Sequence, residues 1–228
     1  MRANNKIKAV IFDLDGTLID SEPNYYEAEK KFLADYGIFD FNQEMKKKYI
    51  GIGTKEMMQD IREKYGIADT VEDLIKKKNE YYIEIARTNT IVFPEMRKFL
   101  KMLKENEYPL ALASGSSLEV IDTILSITKL SDFFAIRVSA DTVKKGKPEP
   151  DLFIETAKQI DTLPKNCLVV EDSQYGVKAA KKASMYCIAI PYLVEGNTAN
   201  SFMMADVLIK NGINNFSAEE NYKWLSSI

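Results

Sequence analysis

Carboxylates recur in this chain at the ends of short, mostly apolar runs, where a folded protein has least reason to place them. Asp13-Leu14-Asp15-Gly16-Thr17 follows the run Ile7–Phe12, and Glu171-Asp172-Ser173 follows Cys167–Val170. The run Pro109–Ala113 leads into Ser114-Gly115-Ser116-Ser117, and a fourth segment, Lys144-Lys145-Gly146-Lys147-Pro148, carries a lysine behind a glycine. Asp13, Asp15 and Asp172 gathered in one place would repel strongly unless a divalent cation sat among them. A hard cation, most simply Mg2+, takes few protein carboxylates and completes its shell with water and phosphate oxygens. Ser116-x-x-Glu119 reads as a capping box, so Ser114 and Gly115 fall just before a helix N-terminus, a ready anion site. Lys147 adds a full positive charge. Cation, helix end and lysine together suit a phosphate.

These residues need a scaffold that brings four loops to one rim. From residue 92 onward short apolar strands alternate with amphipathic helices: helix Pro94–Asn106, strand Pro109–Ala113, helix Ser117–Thr128 and strand Ala135–Val138. Helix Pro150–Ile160, strand Cys167–Val170, helix Ser173–Ala183 and strand Tyr186–Ile190 continue the series. A last strand, Val207–Ile209, precedes a terminal helix opened by Ser217-x-x-Glu220. Such alternation predicts parallel strands with helices on both faces, and Ile7–Phe12 joins them as a strand covered on both sides. In open sheets of this type ligands bind outside the carboxyl ends of the strands. All four polar segments fall there.

Residues 21–90 differ. They show helical periodicity broken at Gly37, Gly51, Gly53 and Gly66, with 12 basic against 14 acidic residues and hence no polyanion-binding character. The runs Lys46–Lys48 and Lys76–Lys78 read as solvated helix faces. The expected architecture is a Rossmann-like doubly wound α/β core built from residues 1–20 and 91–228, with an all-helical cap inserted over 21–90.

Composition narrows the chemistry. The 228 residues contain no histidine, which excludes Ser-His-Asp and Cys-His triads and HExxH zinc sites together. Acid and base work must fall to carboxylate, lysine, tyrosine or cysteine side chains. Cys167 and Cys187 lie in apolar runs and read as buried, reduced thiols. A net charge of -3 gives no reason to expect nucleic acid or a membrane surface as partner. The polar N-terminus and the lack of a long apolar run predict a cytoplasmic protein.

Taken together, Asp13-Leu14-Asp15-Gly16-Thr17, Ser114-Gly115, Gly146-Lys147-Pro148-Glu149-Pro150-Asp151 and Glu171-Asp172-Ser173 resemble, in order, the four motifs of the haloacid dehalogenase superfamily of phosphohydrolases. The likeness spans essentially the whole chain and points to the branch with a helical cap after the first strand. It implies a Mg2+-dependent phosphatase acting on a small phosphorylated metabolite, a sugar phosphate or nucleoside monophosphate. Asp13 would be the nucleophile that becomes an aspartyl-phosphate, and Asp15 the acid and then the base. Thr17 would hold the turn and orient Asp15. Asp13, the backbone carbonyl of Asp15, and Asp172 would hold Mg2+, with Glu171 supporting them. Ser114, the Gly115 amide and Lys147 would neutralise the transferring oxygens.

Departures within that family set the alternatives. β-Phosphoglucomutases use a histidine shortly after the first motif and a cap arginine beside a Gly-containing turn; the matching places here hold Tyr25 and Thr54, the latter near Gly51. The cap therefore offers no evident clamp for a second phosphate, and a mutase is the second reading. A non-catalytic phosphate- or metal-binding module of the same fold is the third.

Overall fold

A computed structural model of the chain describes residues 6–49, 52–192 and 200–228. Its centre is strand β1 (Ala9–Phe12), whose four residues are all buried. Two short strands follow the first loop and the helical segment, β2 (Ile19–Asp20) and β3 (Ile91–Val92). The remaining strands are β4 (Leu110–Ser114), β5 (Ile136–Ser139), β6 (Cys167–Glu171), β7 (Tyr186–Ala189) and β8 (Val207–Leu208). Six of them form one parallel sheet in the order β5-β4-β1-β6-β7-β8. Strand order reverses at β1, which lies between β4 and β6. That reversal opens the crevice in which doubly wound sheets bind ligands.

Side chains on the central strands alternate between the two faces. Val10, Phe12, Leu110, Leu112, Leu168 and Val170 belong to one apolar cluster, and Ala9, Ile11, Ala111, Ala113, Cys167 and Val169 belong to the other. Helices α5 (Pro94–Glu105), α6 (Leu118–Ile127) and α9 (Ala218–Ser227) contribute to the first. Helices α7 (Asp151–Gln159) and α8 (Gln174–Lys182) close the second. Both cysteines are buried and free, as expected.

The doubly wound core therefore forms as predicted, with element ends shifted by one or two residues. One feature has no signature in the sequence. Ile19 pairs with Val92 and Asp20 with Ile91 in an antiparallel ladder, so the chain passages into and out of the helical segment are tied side by side. Two-residue strands carry no alternation to detect.

Between those passages lie α1 (Glu22–Ala34), α2 (Gln43–Lys47), α3 (Thr54–Tyr65) and α4 (Val71–Asn89). They share an apolar cluster of their own, centred on Phe32, Leu33, Met58, Ile61 and Leu74. Tyr25 and Ala28 of α1, and Tyr82 and Ala86 of α4, pack instead with the core cluster beneath the sheet rim. Among the described residues no helix is long and apolar enough to cross a membrane.

Phe12 is the keystone of the first face. It is fully buried, with ring centroids 6.0 Å from Phe99 and 6.0 Å from Phe134 in edge-on geometry. Phe12→Ala should destabilise the protein by about 3–5 kcal/mol, the usual cost of a large cavity in a closely packed core. Urea unfolding of the variant against wild type measures it, and a loss below ~1 kcal/mol would show that the core collapses around the gap.

Candidate active site

Asp13 is the first residue beyond β1, and its N–H donates to the Val170 carbonyl at 3.1 Å, so the sheet itself fixes its position. Its carboxylate is buried and accepts from Lys147 Nζ at 2.6 Å. The same ammonium donates to Glu171. Glu171 is spent on both sides: Oε1 accepts from Lys147 and Oε2 from the Ser173 N–H, the latter at 2.7 Å. Ser173 also caps α8, accepting from the Gly176 N–H at 2.9 Å. A Cβ on Gly176 would overlap the Glu171 carboxylate, so this close approach requires glycine. Gly16 is similarly placed, with φ +76° and no room for a Cβ beside the Asp172 carboxylate.

Asp13, Glu171 and Asp172 offer ligand oxygens that all lie within 4.8 Å of one another. Burial pushes Asp13 up to about 8, against the pull of Lys147, and raises Asp172 well above the ordinary carboxylate range, helped by repulsion from Glu171 and Asp13. Against its own burial, the Lys147 ammonium is held above the ordinary lysine range by Asp13 and Glu171. Such a site resists its own ionised form until a further cation arrives. The donor set fits a hard divalent cation.

Two sequence expectations need correction. Thr17 Oγ1 donates to Asp172 Oδ1 at 3.2 Å, so it orients Asp172 and not Asp15. Ser116 is not the cap of α6: Ser117 takes that place, accepting from the Val120 N–H at 3.4 Å. The Ser116 hydroxyl is drawn elsewhere because Asp15 lies within reach, and it donates to Asp15 Oδ2 at 2.8 Å. Ser114 and Gly115 do lie beside this loop, with Ser114 Oγ accepting from the Ser116 N–H at 3.1 Å.

The helical segment supplies the other wall. Tyr25 OH is 2.9 Å from Ser116 Oγ, and Tyr82 OH is 3.5 Å from Asp15 Oδ1, at the outer limit of a hydrogen bond. The two phenol rings stack at 3.9 Å and 8°. Thr54 opens α3 behind Gly53, and Gly53, Glu56, Lys147 and Tyr175 line a cleft of ≈ 230 Å³. Gly51 falls outside the described residues.

The lysine runs were expected on solvated faces, and here the structure overturns the expectation for two members. Lys46 is buried between Glu29 at 2.8 Å and Glu22 at 3.3 Å. Lys78, 2% exposed, points its ammonium at the Tyr25 ring, 4.6 Å from the centroid, with no carboxylate within ion-pairing distance among the described residues. The sequence did contain a signal. Leu74, Lys78, Tyr82 and Ala86 recur at intervals of four along α4, so Lys78 occupies a slot in an otherwise core-facing stripe. Glu22, Tyr25 and Glu29 likewise share one face of α1. Two cations of the helical segment, Lys46 and Lys78, thus lie over the Tyr25 ring.

A family model described as haloacid dehalogenase-like hydrolase matches residues 10–190. The chain belongs to that family, an enzyme family. The phosphorylated carbohydrates phosphatase of Thermotoga maritima is 31% identical over 183 residues, covering 78% of this chain and 82% of that protein. The β-phosphoglucomutase of Bacillus subtilis is 31% identical over 191 residues, covering 81% and 83% respectively. A crystal structure of a β-phosphoglucomutase from Clostridium difficile matches with a TM-score of 0.79 at 25% identity, over 97% of this chain and 98% of that one.

Lys78 permits a direct test of this electrostatic picture. Burial lowers its folded value to about 8 from an ordinary 10.5. Below pH 8 the ammonium is charged in both folded and unfolded chains, and the fold bears the whole desolvation cost. Between the two values the unfolded chain holds more protons, so stability rises with pH. Each tenfold change in proton affinity is worth roughly 1.4 kcal/mol, so Lys78→Met should be more stable than wild type by about 3 kcal/mol at pH values below the folded one. The gap should close as pH approaches 10.5. Denaturant unfolding of both proteins across that range reads it, and a gap independent of pH would refute the assignment.

Proposed function

We propose that this chain is a Mg2+-dependent phosphatase that hydrolyses a small phosphorylated sugar through an aspartyl-phosphate on Asp13. The observation that carries the reading is the meeting of Asp13, Lys147, Glu171 and Asp172 at the carboxyl ends of β1 and β6. The named phosphatase and mutase relatives support a phosphorylated carbohydrate as the substrate class. In this reading residues 21–90 act as a cap over the rim, entered and left through the paired β2 and β3.

Asp13, the Asp15 backbone carbonyl and Asp172 would hold the cation, with Glu171 supporting from behind because Lys147 and the Ser173 N–H already engage both its oxygens. A divalent cation bound there would supply positive charge to offset that of the phosphate. An Asp13 carboxylate oxygen attacks phosphorus while the bond to the sugar oxygen breaks, and Asp15 gives that oxygen its proton. In the second half Asp15 takes a proton from water, the water oxygen attacks phosphorus, and the Asp13–phosphorus linkage breaks to release inorganic phosphate. Ser114, the Gly115 amide and Lys147 stabilise the equatorial oxygens throughout. Positioning and charge are most of what phosphoryl transfer asks of a protein.

Asp13→Asn should lower kcat by several orders of magnitude while leaving the fold intact by circular dichroism, because an amide cannot serve as the nucleophile. Retention of a tenth of wild-type activity, with deamidation excluded by mass spectrometry, would end the covalent mechanism. Chelation should abolish turnover of p-nitrophenyl phosphate, and added Mg2+ should restore it and raise the melting temperature through binding to the folded state. Asp172→Asn should lose both responses.

A mutase is the second reading, and one observation favours it. Lys46 and Lys78 place positive charge on the wall contributed by the helical segment, where a second phosphate of a reorienting bisphosphate would need it. Lys46 is already offset by Glu29 and Glu22, which leaves little free charge for that role. We expect net phosphate release from hexose phosphates, with no appreciable conversion of β-glucose 1-phosphate to glucose 6-phosphate in the presence of a bisphosphate primer. Isomerisation outrunning phosphate release in the same incubation would reverse the order of the two readings.

A further inference from the structure

Asp15 is served by hydroxyl groups from two separate parts of the chain. Ser116, on the loop after β4, donates to Asp15 Oδ2 at 2.8 Å. That serine is itself fixed: its N–H donates to Ser114 Oγ at 3.1 Å, and its carbonyl accepts from Ser139 Oγ at 2.7 Å. Tyr25, on α1, reaches Ser116 Oγ at 2.9 Å. With Asp15 ionised, donors run in one direction, from Tyr25 OH to Ser116 Oγ to Asp15 Oδ2. The second oxygen, Oδ1, faces Tyr82 OH of α4 at 3.5 Å. The stacked rings hold each other, Tyr82 is fully buried and Tyr25 nearly so, so neither hydroxyl is free to wander. Burial also keeps both phenols neutral and hence able to donate.

We propose that Tyr25 is a positioning residue for Asp15, acting through Ser116, so that the proton donor is aligned only while α1 and α4 are packed on the sheet rim. The strong bond to Oδ2 locks the carboxyl plane, and the weaker contact at Oδ1 leaves that oxygen to the leaving group or to water. Asp15 belongs to the first loop of the core, whereas Tyr25 and Tyr82 belong to the helical segment. The hydroxyl chain thus makes the packing of that segment a condition for proton transfer. In a chain without histidine, phenol hydroxyls are among the few neutral groups able to do this. The inference rests on the reading of Asp15 as the acid.

The test uses leaving groups that differ in their need for a proton. Phosphoryl transfer from p-nitrophenyl phosphate expels a stable anion, while glucose 6-phosphate and glycerol phosphate expel an alkoxide that must be protonated. Because kcat/KM reports steps only through formation of the phosphoenzyme, it isolates the acid role. Tyr25→Phe should lower kcat/KM for the alkyl phosphates at least ~10-fold more than for p-nitrophenyl phosphate, a fraction of what general acid catalysis supplies. Ser116→Ala, which cuts the same chain from the core side, should show the same selectivity, and the double variant should lose little more. It also keeps the test decisive if Tyr25→Phe folds poorly. Equal losses on both substrate types, or none, in the folded variants would overturn the proposal. Failure of the phosphatase reading looks different: wild type would then release no phosphate, or would isomerise β-glucose 1-phosphate faster than it releases phosphate, whatever Tyr25→Phe does.

Discussion

Everything at the rim answers to the burial of like charges. Asp13, Glu171 and Asp172 come from two adjacent strands and crowd their oxygens within 4.8 Å, largely out of contact with bulk water. Lys147 is the only ammonium bonded to that group among the described residues, and it must serve Asp13 and Glu171 at once. One cation for three acids leaves a deficit, which burial converts into raised carboxyl pKa values for Asp13 and Asp172. In the metal-dependent reading proposed above, a divalent cation would supply the positive charge that this cluster lacks. The backbone around the cluster answers to the same crowding. Gly16 and Gly176 are glycine because a side chain there would occupy the space of the very carboxylates being held.

The wall contributed by the helical segment obeys a different rule. Its buried groups are nearly matched in charge, with Lys46 between Glu22 and Glu29, and only Lys78 is left to lean on an aromatic face. Burial of that ammonium costs stability, offset in part by the charges of Glu29, Asp15 and Glu22. The stacked tyrosines lie between this wall and Asp15, so Asp15, phenol pair and lysine form one continuous polar seam. Its other side is held by Ser116 and, through it, by Ser139 at the end of β5.

Much of this is legible in the residues alone. The alternation of apolar strand and amphipathic helix dictates a doubly wound parallel sheet, and the polar clusters at strand ends follow the one rim where such sheets bind ligands. Asp13, Lys147, Glu171 and Asp172, which the structure brings together, are all legible from residue type and position. Thr17 is identifiable too, but with the wrong partner. Its short side chain reaches whichever carboxylate the folded loops bring near, and linear order cannot rank Asp15 against Asp172.

Ser116 shows the same limit more sharply. As a sequence, Ser116-x-x-Glu119 is a sound capping box; in the fold the hydroxyl has a better acceptor in Asp15, and its neighbour Ser117 caps α6 instead. Lys46 and Lys78 mark the boundary most clearly. A run of lysines is soluble surface by composition; the core-facing stripe of α4 singles out Lys78, whereas the burial of Lys46 between Glu22 and Glu29 is set only by the fold. The sequence by itself determined the sheet, the rim and the acids, because those depend on local periodicity and on where strands must end. Which hydroxyl meets which carboxylate was decided by tertiary structure alone. Such pairings join residues as many as 101 and 155 positions apart, and small differences in packing select among them.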